Sequence, residues 1–110
     1  GATLTFINDK DSLLWEPDGA IPLERLEALK KAHSIGLKTW ASLEPVINPG
    51  QTLEIIYRAY PFVDMFKVGK WNYDDRADLI NWNGFANNAV ELLESLDANY
   101  YIKEGLRRYL

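Results

Sequence analysis

The chain has 110 residues, 47% of them hydrophobic, which suits one domain with a modest core. Its net charge of −4 and pI near 4.9 exclude a broad electrostatic grip on nucleic acid by this segment alone. It has no cysteine and one histidine, His33, which excludes disulfides, thiolate-bound zinc, cysteine-ligated iron–sulfur clusters and histidine-based metal clusters within the chain. No apolar run reaches the roughly 18 residues of a membrane span, and no signal peptide is visible, so the expected setting is cytoplasmic with no membrane partner.

In chain order, Thr3 to Ile7 is β-prone and reads as a first strand, ended by Asn8 and Asp9. Asp11 or Ser12 is placed to cap a short helical turn through Trp15, and Glu16-Pro17-Asp18-Gly19 reads as a turn. Pro22 suits the first position of a helix whose apolar face is Leu26, Leu29 and Ala32. His33 near its end reads as a surface imidazole. Gly36 then suits a helix end that needs positive φ.

The stretch from Leu37 to Asn48 organises the rest. Leu37 to Leu43 reads as a strand covered on both faces. Pro45 holds Glu44 extended, so Trp40, Ser42 and Glu44 share one face with Glu44 at the carboxyl end. Gln51 or Thr52 opens a second helix with Leu53, Ile56, Tyr57 and Tyr60 as its buried face, stopped by Pro61. Met65 to Val68 is a third strand, with Lys67 inside it requiring a partner or a polar surround.

Gly69 to Asn81 is a long irregular stretch. Asn81 or Asn83 caps a third helix with Phe85, Ala89, Leu92, Leu93 and Leu96 inside, and Tyr100 to Ile102 is a last strand before a terminal helical turn. Trp15, Trp71, Tyr73 and Trp82 fall in loops or caps, mostly as packing groups. The expected fold is therefore α/β, in the order β-α-β-α-β-α-β-α, with parallel strands and right-handed crossovers. No GxGxxG or Walker A pattern supports a nucleotide-phosphate cradle.

Ligands of parallel α/β folds bind at the carboxyl ends of strands. The polar residues expected there are Thr5 and Asn8, then Ser42 and Glu44, then Lys67, Lys70 and Asn72, then Lys103. A carboxylate among lysines suits a zwitterionic ligand, and hydroxyl and amide groups suit a ribose or a base edge. The competing reading is an internal salt-bridge network in which Glu44 pairs with Lys67 or Lys103.

The segments TLTFIND, WEP, ERLEALKKAHSIGLKTWASLEPVI, VDMFKVGKWNY, INW and YYIKEGL together resemble the C-terminal half of radical S-adenosylmethionine (radical SAM) proteins. The branch they resemble is the spore photoproduct lyase, or DNA-repair-photolyase-like, one. The resemblance implies half of a parallel (β/α) partial TIM-type barrel. It also implies a cofactor laid across the strand ends, touched by Thr5 (with Asn8 as the alternative), by Ser42 and Glu44, and by backbone groups of Val68, Gly69 and Lys70. That family holds a 4Fe–4S cluster on a CxxxCxxC motif in its first half, and the cluster cleaves S-adenosylmethionine reductively. A chain without cysteine is expected to be incompetent alone, and to be completed by the missing half-barrel or to self-associate through an open first-strand edge. Nucleic acid is an expected substrate only of the whole enzyme. The alternative is a non-catalytic α/β module that binds a small ligand or a partner protein.

Overall fold

The computed structural model describes residues 1–15, 22–72 and 74–110, the side chains of Asp9 and Leu13 excepted. The turn expected at Glu16 to Gly19, the WEP segment beyond Trp15, and Tyr73 lie outside the described residues. The protein is α/β, as the alternating pattern requires. Four parallel strands, β1 (Ala2–Thr3), β2 (Trp40–Leu43), β3 (Met65–Val68) and β4 (Tyr100–Ile102), stand side by side in chain order. Between and after them lie α1 (Asp9–Trp15), α2 (Pro22–Ser34), α3 (Pro49–Ala59), α4 (Trp82–Ser95) and α5 (Glu104–Arg107), with 3₁₀ turns at Tyr60–Phe62 and Asp75–Leu79.

Strand alternation divides the sheet. Ala41, Leu43, Phe66, Val68 and Ile102 point to one side and are buried against Ile55, Ile56, Ala86, Ala89 and Leu93 of the helices. The neighbours Trp40, Ser42, Lys67 and Tyr101 point to the other side and stay half-buried or exposed. The strand around Trp40 is thus covered on one face, not both. It is also shorter than its apolar run, because Leu37 and Lys38 find no strand to pair with and lie exposed. β1 is cut short for the same reason: its last ladder bond runs from Leu4 N–H to the Ser42 carbonyl at 2.9 Å.

The helix ends follow local chemistry. Asn48 caps α3 by accepting from Gln51 N–H, with Pro49 at the first position, so the helix opens before Gln51. Asn81 caps α4 by accepting from Gly84 N–H. Gly36 closes α2 at φ 86°, a conformation open to glycine. α3 buries Thr52, Ile55, Ile56 and Ala59, while Tyr57 is 63% and Tyr60 40% exposed. The buried stripe is rotated from the expected one and built of smaller side chains.

Candidate functional site

The register of the sheet assembles the rim. Thr3, Ser42, Lys67 and Tyr101 form one rung. Counting two residues further along each strand gives Thr5, Glu44, Gly69 and Lys103 as the next rung, at the carboxyl ends.

Three of these four are in direct contact. Glu44 reaches from the end of β2 across the end of β3 to Lys103 beyond β4, where Lys103 Nζ donates to Oε1 at 2.8 Å. It crosses above Gly69, and a Cβ on Gly69 would overlap the Glu44 carboxylate. A glycine is therefore needed at position 69 for the carboxylate to lie flat over the strand end. Of the two lysines expected as partners, Lys103 is the one that pairs. Both side chains of the pair stay partly open, at 29% for Glu44 and 41% for Lys103. The carboxylate therefore keeps a route to solvent or ligand.

Thr5 is 4% exposed, and among the described residues its buried hydroxyl oxygen has no hydrogen-bond partner. Ser42 lies one rung below Glu44 and is half-buried.

The remaining expected residues have partners of their own within the chain. Asn8 accepts from Lys10 and Asp11 N–H groups with its side-chain oxygen, which starts α1. The loop before it is tied down by Gln51, whose side-chain oxygen accepts from Ile7 N–H at 2.8 Å and Asn8 N–H at 3.0 Å, while its amide donates to Asp11 at 2.8 Å. The Val68 side chain faces the helices, and its carbonyl accepts from Lys103 N–H, so that group is already committed. Lys70 turns toward α4, with its ammonium 5.4 Å from the Trp82 ring centre. Its carbonyl accepts from the exposed Asn72. Lys67 has its charge over the Trp40 ring, 4.6 Å from the centroid, on the open face of the sheet. His33 lies 3.9 Å from Asp64 and is on the surface.

Two residues carry roles that motif reading passed over. Gly69 was expected only to lend its backbone; its missing side chain is what the site uses. Pairing Leu43 with Val68 sets Glu44 beside Gly69, so the signal was available once the register was counted. Trp40 is the partner that the charge of Lys67 inside β3 called for. A third cluster lies beyond β3. Arg76 binds Asp74 through two nitrogens at 2.6 and 3.0 Å and stacks over Trp15 and Trp71 at 4.7 and 5.1 Å. Those bonds hold the Asp74 carboxyl below its ordinary range and raise Arg76.

Among the described residues no group of three or more His, Asp or Glu side chains is placed to hold a metal ion. None of their helices is long and apolar enough to cross a membrane. A depression of about 380 Å³ lies on the helical side, lined by Leu53, Asn88, Glu91, Leu92 and Ser95, away from the rim. No protein-family model, curated protein or solved structure matches the chain.

Proposed function

We propose that this chain is the C-terminal part of a radical S-adenosylmethionine enzyme and supplies cofactor and substrate contacts from one half of a partial TIM-type barrel. The observation that carries the reading is the rim rung itself: Glu44 laid over Gly69 onto Lys103, with the buried Thr5 at the matching register position of the first strand. Strands in unbroken order 1-2-3-4 with helices on a single face are what a barrel segment requires. The other face, bearing Trp40, Ser42, Lys67 and Tyr101, would then be the barrel interior.

The donor set fits one part of that cofactor system and not the other. Thr5, Ser42 and Glu44 offer hydroxyl and carboxylate partners suited to the ribose and amino groups of S-adenosylmethionine. The 4Fe–4S cluster has no ligand here, since the chain has no cysteine. The cluster and its reductive chemistry belong to a preceding half or a partner chain.

The test is an amide NMR titration of the isolated chain with S-adenosylmethionine. Shifts concentrated at Thr5, Ser42, Glu44 and Gly69, and reduced in Gly69→Ala, are the expected result. An absence of rim shifts at millimolar ligand, or shifts confined to the α3–α4 depression, would remove the assignment. Iron and sulfide reconstitution of this chain alone is expected to give no 5′-deoxyadenosine.

One observation favours a second reading, a non-catalytic α/β binding module. Trp40 and Tyr101, 41% and 49% exposed, lie on an open sheet face that a partner protein could cover. A partner that binds through this face and leaves the rim amides unshifted would favour it.

A further inference from the structure

An edge strand turns half of its backbone groups outward, where they can template a strand from another molecule. Among the described residues β4 is such an edge. Asn99 carbonyl accepts from Phe66 N–H, and Lys103 N–H donates to Val68 carbonyl, both at 2.9 Å. By alternation the odd-numbered residues face β3, and Tyr100 and Ile102 direct their backbone groups outward.

The outward carbonyl of Ile102 is not bare. Arg107 donates to it from Nη2 at 2.9 Å and from Nε at 3.2 Å. The same guanidinium lies over the Tyr101 ring, 5.0 Å from its centre, so two contacts hold it beside the strand. The short helix α5 makes this possible. The chain turns at Lys103, whose carbonyl accepts from Leu106 and Arg107 N–H groups, and within one turn Arg107 is back alongside β4.

We propose that Arg107 seals the β4 edge against strand addition. An incoming strand would have to place an N–H on the Ile102 carbonyl, and there it meets a planar cation making two charge-assisted bonds. On the opposite edge, Arg25 Nη1 donates to the Thr3 carbonyl at 2.8 Å. Edge pairing is therefore denied at β4.

The experiment compares Arg107→Ala with Arg108→Ala by sedimentation velocity at micromolar concentration. Both variants lose one positive charge, but among the described residues Arg108 donates to the Gly105 carbonyl alone, at 3.3 Å. The weight-average mass of Arg107→Ala is expected to rise about two-fold or more above that of Arg108→Ala. Equal masses would overturn the proposal. Hydrogen exchange at the outward amide of Ile102 separates edge pairing from unfolding. Slower exchange in the assembled Arg107→Ala variant is expected, and unchanged or faster exchange there would sink the idea.

Discussion

The two faces of the sheet are built from the same strands and answer to different physics. On the helix side, Ala41, Leu43, Phe66 and Val68 are fully buried, and every alternate residue adds apolar area to one core. On the open side, Trp40, Ser42 and Lys67 sit one residue away along the same backbone and remain in reach of water. One face fixes the fold; the other presents groups at fixed spacing while adding little to stability. The polar rim is the continuation of that second face, so it can change its chemistry without disturbing the core.

The sharpest way to break this contrast is to truncate one residue on each side. Phe66→Ala is expected to cost about 3–5 kcal/mol, because it opens a cavity in a core that cannot fully collapse. Trp40→Ala, which removes a larger side chain from the open face, is expected to cost about 0.5 kcal/mol or less. Urea denaturation of both variants checks this, and equal losses would mean that the open face is covered.

Between these extremes lies the rim. Glu44→Gln removes a partly exposed ion pair and is expected to cost about 0.2–1 kcal/mol. Gly69→Ala should cost a similar amount, about 1 kcal/mol or less, by displacing the flexible Glu44 side chain and not backbone. If both act through the Glu44–Lys103 contact, the double variant loses no more than either single one. Simple additivity in that double-mutant cycle would show that Gly69 acts elsewhere.

The smallest effect is a pH dependence at the opposite end of the sheet. Asp64 accepts from Thr39 N–H at 2.7 Å and from the Thr39 hydroxyl at 3.2 Å, and these bonds hold its carboxyl below the ordinary range, with Lys38 and His33 adding to them. A carboxylate with a lowered folded pKa contributes stability that is complete above the unfolded value of about 3.9 and fades as pH falls through the folded one. Asp64→Asn should flatten that acid limb while leaving the rim unaffected. Denaturation midpoints followed from neutral pH downward measure it, and an unchanged acid slope would refute the assignment.

The sequence made some of this plain and could not reach the rest. β3 and β4 were legible to the residue because short apolar runs are bounded by turn-forming neighbours, as at Asp64, Gly69 and Asn99. β1 and β2 were drawn too long because strand length depends on the neighbour, and side-chain character says nothing of where pairing stops. The stripe of α3 was misplaced for a related reason. Thr52 and Ala59 do not stand out as hydrophobic, yet close approach to the sheet and to α4 favours small groups over Tyr57 and Tyr60. The polar rim was legible as a set of strand-end residues. Its internal wiring was not: the choice of Lys103 over Lys67, the redirection of Lys70 to Trp82, and the use of Asn8 as a helix cap all depend on three-dimensional direction.

Gln51 joins the beginning of the chain to its middle. Its one side chain fastens Ile7, Asn8 and Asp11, 40 to 44 residues earlier, onto the first turn of α3. Without that amide, the turn that follows Thr5 would lose three of the bonds that set its path. The geometry around Thr5 thus depends on a side chain from a different strand-to-strand connection.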